Sequence, residues 1–274
     1  MLPVLFSLGP ITIYTYGVLL FVGLFLGLYT WWKVGRDEHL DELALFDAYF
    51  LSFFVYLVFG RIGEIIMRHE TLHTFYRMIA LLAYPGIVHI IGIGAALIFI
   101  WLFARNAEWD PWMIWDMAAV ALLAVVVFGA LGSVANLANP GIETAWGLVH
   151  PGDTVRRFPV DIWSLIWSIP SFGIVSRVRK NFRFYTWYKG EASVAQDGLA
   201  ALVGLASLGW YYFIRGWIDV GMRVYGVIPV MSLWGIILVF VSIWLTYQRS
   251  GSRREGNLLQ WGGYVLGIRR VKKG

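Results

Sequence analysis

Long apolar runs alternate with short polar interruptions along the whole chain. Windows near residues 12–32, 44–66, 80–103, 112–135, 160–176, 194–214 and 226–247 are predominantly apolar. A helix needs about 20 such residues to cross the hydrocarbon of a bilayer, whereas barrel strands alternate over about 10. The pattern therefore predicts an all-α bundle of about seven spans. The fifth window is the shortest and contains Pro170, so six spans is the alternative. Between 136 and 160, Pro140, Gly141, Pro151, Gly152 and Pro159 predict a folded extramembrane turn rather than a helix. The expected organisation is a transmembrane domain over 1–248, with this outer loop, and a basic tail over 249–274. No internal repeat interrupts it.

Charge placement sets an expected orientation. With seven spans, one set of loops and the tail carries 15 of the 22 Lys and Arg residues. The opposite loops carry six, and Arg61 falls inside a span. Positive loops stay in the cytoplasm, so the N-terminus is expected outside and the tail inside. Six spans would scramble this asymmetry. The first 32 residues hold no Lys or Arg, so no cleavable signal peptide is expected.

Composition agrees with the pattern. Hydrophobic residues make up 59% and charged residues 14% of the 274, against about 25% charged in ordinary domains. Mean hydropathy is +0.67. The 15 Trp and 14 Tyr suit two membrane–water interfaces. There is no cysteine, which excludes a thiol nucleophile, a thiolate metal site and a disulfide within the chain. The net charge of +5 is most simply read as attraction to anionic headgroups, so membrane lipid rather than nucleic acid is the expected partner.

Ionisable groups inside spans are costly, which makes each one a candidate site. Arg61 and Glu64, in Gly60-Arg61-Ile62-Gly63-Glu64, share one helix face. They read either as a self-neutralising structural pair or as an arginine aimed at phosphate and oriented by the glutamate. His89 stands alone in an apolar run after Pro85-Gly86, a helix start or break. It is either a hydrogen-bonded core residue or a general base. No ligand-type residue lies three or four positions away, and neither a metal site nor a cofactor is expected. Asp116, after Trp109, Trp112 and Trp115, reads as an interfacial acid near a helix N-terminus. The fourth span ends Gly129-Ala130-Leu131-Gly132-Ser133-Val134-Ala135-Asn136, either a close-packing surface or a turn lining a cavity. Glu143, Arg156, Arg157, and Arg215 with Asp219 four residues on, all fall towards the expected outer side. Cations gathered at one face suit an anionic lipid headgroup better than a pathway through the midplane.

The order of these segments resembles the prolipoprotein diacylglyceryl transferase family of bacterial inner membranes. Phe6-Ser7-Leu8-Gly9-Pro10, then Ile13-Tyr14-Thr15-Tyr16-Gly17, is similar to that family's N-terminal segment with its Tyr-Gly pair. Gly60-Arg61-Ile62-Gly63 resembles its second-span motif, and His89 falls where it has His-Gly-Gly. Asp116 and the stretch Gly129 to Gly147 follow in order. The chain departs from the family signature Gly-Arg-x-Gly-Asn-x-x-Asn, with Ala130 at the arginine and Ser133 at the first asparagine. It also has Ile90-Ile91 after the histidine, Leu208 for a sixth-span arginine and Phe158 before Pro159, while Arg157 and Arg215 match. The resemblance implies seven spans in the bacterial plasma membrane and an external N-terminus. It further implies transfer of the diacylglyceryl group from phosphatidylglycerol to the lipobox cysteine of a prolipoprotein. It assigns His89, Arg61 and Glu143 to catalysis, and Tyr16, Gly17, Asn136, Arg157 and Arg215 to substrate binding. The eroded signature leaves an alternative, an inactive relative that binds anionic phospholipid or a lipoprotein precursor. A solute transporter is disfavoured because midplane polar residues are scarce.

Overall fold

The computed structural model describes residues 4–8, 11–68, 74–79, 86–137, 139–150, 153–189, 197–220, 223–224 and 227–249. Apart from Arg249, the expected basic tail lies outside the described residues. Among those residues there are seven helices of 18 residues or more: α1 (Thr15–Asp37), α2 (Glu42–Met67), α4 (His89–Asn106), α5 (Pro111–Asn136), α6 (Val160–Lys189), α7 (Leu199–Ile218) and α8 (Val230–Arg249). A short helix, α3 (Phe75–Ile79), precedes α4. Six of the seven, all but α6, are both long and apolar enough to cross a membrane.

Two helices depart from the sequence expectation. The third apolar window runs from 80, but α4 begins at His89, with Val88 as its N-cap. Residues 80–85 lie outside the described residues, and Gly86 to Val88, ahead of α4, are non-helical. The fifth apolar window covers 160–176, yet α6 continues to Lys189 past Pro170. Its 30 residues span about 45 Å at 1.5 Å each. Arg177, Arg179, Lys180, Arg183 and Lys189 make its second half polar, which hid a continuous helix from a hydropathy criterion. Among the described residues the strands form three antiparallel pairs: β1 (Val4–Leu8) with β2 (Ile11–Tyr14), β3 (Pro140–Val149) with β4 (Arg156–Pro159), and β5 (Arg223–Val224) with β6 (Ile228–Pro229). The predicted turn region 136–160 thus holds a hairpin.

The chain divides into two compact units, Leu26–Ala121 and the remainder. In the Leu26–Ala121 unit, α2 and α4 pack antiparallel through small residues. A Cβ on Gly60 would lie 2.5 Å from Ile87 Cγ2, one on Gly63 2.6 Å from Ile91 Cδ1, and one on Gly92 2.7 Å from the Tyr56 ring and carbonyl. Glycine at these positions is what lets the backbones approach. At the other end, Trp31, Leu45, Ala48, Ala104, Ile114 and Met117 form a buried core, and Trp31 Nε1 donates to the Leu45 carbonyl at 2.8 Å. Asp41 caps α2 by accepting from the Ala44 N–H at 2.9 Å. This end also carries cations over aromatic rings, with the Arg36 guanidinium 4.4 Å from the Trp32 centroid and Arg105 5.0 Å from Trp101. That is the aromatic-and-basic dress of a membrane interface.

In the other unit, α7 and α8 approach through a reciprocal glycine contact. A Cβ on Gly209 would meet the Gly235 carbonyl at 2.7 Å, and one on Gly235 would meet the Gly209 carbonyl at 2.5 Å. Ser242 Oγ donates to the Leu202 carbonyl at 2.7 Å, and Ser232 Oγ to that of Phe213 at 2.7 Å. Helix α6 packs on α7 along a polar seam. Trp167 Nε1 donates to the Ser207 carbonyl at 2.9 Å, and the Ser171 and Ser207 hydroxyls lie 2.6 Å apart. Such bonds hold helices together where apolar burial gives no drive.

Candidate functional site

Arg61 and Glu64 are both buried on the last turns of α2. Three of the five Arg61 N–H groups donate to main-chain carbonyls: Nε to Met78 at 2.8 Å, Nη1 to Gly86 at 3.1 Å and Nη2 to Arg77 at 2.6 Å. Glu64 pairs with Arg68, Nε to Oε1 at 3.0 Å. Its carboxylate also packs on Gly86, where a Cβ would sit 2.5 Å from Oε1. The two residues thus hold different partners rather than each other: Glu64 takes Arg68, and Arg61 ties down main chain that follows α2. These three partners of Arg61 are backbone oxygens, so no side-chain pattern could have announced them.

His89 is exposed at the first turn of α4. Its Nδ1 lies 2.6 Å from the Tyr56 hydroxyl, and the two rings stack at 6.2 Å. Nε2 is the ring atom directed away from that bond. Tyr56 escaped the sequence reading because 33 positions separate it from His89.

In the second unit, Tyr16 opens α1 and packs on α5, since a Cβ on Gly132 would lie 2.8 Å from Tyr16 Cδ2. Gly17 beside it faces open space. Asn136, the last residue of α5, keeps Oδ1 buried without a hydrogen-bond partner. Leu137 follows at a φ of 45° and reverses the chain. Asn139 then donates to Asp161 through its N–H at 3.1 Å and Nδ2 at 2.6 Å, fastening the loop to the start of α6.

The β3–β4 hairpin brings Glu143 and Arg157 together, with Nη2 3.3 Å from Glu143 Oε1. Arg157 Nε donates to Asp153, and Nη1 reaches the Gly141 carbonyl at 3.4 Å. The hydrogen bond from Arg157, supported by the Val155 and Thr154 N–H groups, holds the Asp153 carboxyl below the usual carboxylate range. The same bond raises Arg157 above its ordinary value. Between two carboxylates, Arg157 is a clasp for the hairpin. Gly141 in turn bridges to Asp219; a Cβ there would meet the Ile218 carbonyl at 2.5 Å, so only glycine fits.

Arg215 sits at that junction. Nε donates to Asp219 at 3.0 Å and Nη1 to the Tyr211 hydroxyl at 2.9 Å. Tyr211 also meets Ser164 Oγ at 2.8 Å and packs on Trp167 with ring centroids 4.4 Å apart and planes tilted by 30°. These two bonds occupy two of the five N–H groups of a half-buried guanidinium. The rest of its planar fork is available to an anion. Arg215 with Asp219 was legible from spacing, whereas Tyr211 went unread although it lies one turn earlier.

A further polar group was missed. His150, at the end of β3, is buried with neither ring nitrogen hydrogen-bonded. Ala130, where the family signature has arginine, is buried.

These features define a multi-pass helical membrane protein. The sequence matches the family described as prolipoprotein diacylglyceryl transferase over residues 3–248. The chain belongs to that family and is an integral membrane protein. Similar proteins named phosphatidylglycerol–prolipoprotein diacylglyceryl transferase include one from Ligilactobacillus salivarius, 23% identical over 94% of this chain and 96% of the relative. Another, from Aliarcobacter butzleri, is 28% identical over 60% and 65%. One from Bacteroides fragilis is 27% identical over 66% and 71%.

Proposed function

We propose that this chain transfers the diacylglyceryl group of phosphatidylglycerol to the cysteine thiol of a prolipoprotein, at the outer face of a bacterial plasma membrane. The observation that carries the reading is Arg215, held by Tyr211 and Asp219 with part of its fork uncommitted. His89 takes the thiol proton on Nε2. The thiolate sulfur bonds to the diacylglyceryl carbon as the carbon–oxygen bond to phosphate breaks, and the electron pair leaves on glycerol phosphate. Arg215 offsets the charge that develops on the leaving phosphate. The unpartnered Oδ1 of Asn136 accepts from a substrate donor, and Tyr16 and Gly17 border the lipid. Glu143 and Arg157 act through the hairpin, and Arg61 through the segment it fastens. The basic-residue count supports an external N-terminus.

A second reading has one observation in its favour. Ala130 puts a buried methyl where the signature has a cation, which suits a relative that binds phospholipid without turnover. The test is a mass-shift assay with purified protein, phosphatidylglycerol and a peptide bearing one lipobox cysteine. A diacylglyceryl adduct from the unmodified chain supports transfer. An adduct only after Ala130→Arg with Ser133→Asn overturns it in favour of the inactive relative. Silence from both overturns transfer, and phosphatidylglycerol binding in the silent protein then supports the lipid binder.

A further inference from the structure

A histidine can accept a proton at Nε2 only if its neutral form carries the hydrogen on Nδ1, and that choice is set by what Nδ1 touches. In this chain Nδ1 of His89 touches the Tyr56 hydroxyl at 2.6 Å, the ring planes inclined by 18°. The contact is built in from three directions. Tyr56 and His89 lie on α2 and α4, the antiparallel pair that Gly60 and Gly63 bring together. Gly92, one turn beyond His89, leaves room for the Tyr56 ring, since any Cβ there would press on both the ring and the Tyr56 carbonyl. The Val88 N–H donates to the Gly60 carbonyl at 3.0 Å, which fixes the start of α4 one turn past Tyr56. The histidine is exposed while its tyrosine is half-buried, so the ring is anchored on one side and open on the other.

We propose that Tyr56 is the positioning residue of His89: Nδ1–H donates to the Tyr56 oxygen, leaving the Nε2 lone pair directed outward as the proton acceptor. The inference rests on His89 acting as base in the reaction above, and it adds a residue that neither the motif resemblance nor the sequence pattern marks. When Nε2 takes the thiol proton, both ring nitrogens carry hydrogen. The Nδ1–H bond to the tyrosine oxygen then strengthens, because its donor is now charged. Tyr56 neither gains nor loses a proton. A ring bonded the opposite way, with the hydroxyl donating to Nδ1, would hold the hydrogen on Nε2 and could not serve as base.

The experiment uses full-length protein with ring-¹⁵N histidine in lipid nanodiscs, the His89 signals being assigned by their loss in His89→Gln. The expected spectrum has a pyrrole-type Nδ1 and a pyridine-type Nε2, and Tyr56→Phe converts it to mixed tautomers. The reverse tautomer, or a spectrum unmoved by Tyr56→Phe, overturns the proposal. In the transfer assay, Tyr56→Phe is expected to lower kcat about tenfold with KM unchanged, the rate equivalent of one neutral hydrogen bond. An unchanged kcat, or a rise in KM alone, overturns it. If the unmodified protein transfers nothing, the functional reading fails while the spectrum still decides how Tyr56 and His89 are bonded.

Discussion

Arg215 and Tyr211 lie one helical turn apart on α7, and the guanidinium Nη1 donates to the tyrosine hydroxyl at 2.9 Å. The bond turns a flexible side chain into a fixed fork. Its value depends on geometry as well as charge, because a lysine offers a point cation where arginine offers parallel donors.

Arg215→Ala is expected to lower kcat about 10²–10³-fold, as removal of a transition-state anion donor does. Arg215→Lys should recover only part of this. Tyr211→Phe, which keeps the charge and loosens the aim, should cost about tenfold. Initial rates of peptide diacylglyceryl transfer rank the three variants. Equal activity of the lysine and arginine forms would contradict the fork argument.

Arg61 makes a different forecast. Arg61→Leu strands carbonyls of Met78, Arg77 and Gly86 that it now satisfies, each at about 1–3 kcal/mol when buried. The folded fraction in detergent should collapse, with Arg61→Lys intermediate. Fluorescence-detected size exclusion after a heating series measures this directly. A well-folded Arg61→Leu protein that had lost only activity would move Arg61 back to the phosphate.

His150 invites replacement. Burying an unpaired imidazole is unfavourable, and an apolar ring of similar shape removes that cost. His150→Phe should stabilise the protein by roughly 1 kcal/mol, seen as a thermal midpoint a few degrees higher. A lower midpoint would mean that the histidine has a partner in the working protein.

The hairpin clasp has a defined pH dependence. Asp153 titrates below its unfolded value, so its contribution is fully present above the ordinary carboxylate range, about pH 4. It is lost as pH falls through the lowered folded value. Because the chain lacks cysteine, a single label on Thr154→Cys, an exposed site beside Asp153, reports on the hairpin alone. Its mobility should stay constant from neutral pH to about pH 4 and rise only below that. Asp153→Asn should be mobile throughout.

Much of the helical framework was readable because span length and hydropathy follow from bilayer thickness alone. The α4 start was readable only in part: Pro85-Gly86 marks a break before His89, but hydropathy alone carries the apolar window back to 80. The second half of α6 was not, because charge lowers hydropathy without lowering helix propensity. At the site, Arg215 with Asp219 followed from a four-residue spacing. The destination of Arg61 did not, because carbonyls have no sequence identity. Nor did Tyr56 with His89, whose meeting depends on how two helices cross.

The bonds from Arg61 to residues beyond its own helix also constrain how the chain enters the membrane. A guanidinium leaving the translocon in α2 faces an insertion penalty, which near a helix end is below the ~2.5–3.5 kcal/mol of a helix centre. Its compensating oxygens, out to Gly86, are made later. Until the ribosome has passed that point, α2 carries an unquenched cation and has reason to wait at the protein-lined exit for α4. The two helices should therefore leave as a pair, and a nascent chain stalled between them would be a natural target for membrane proteolysis.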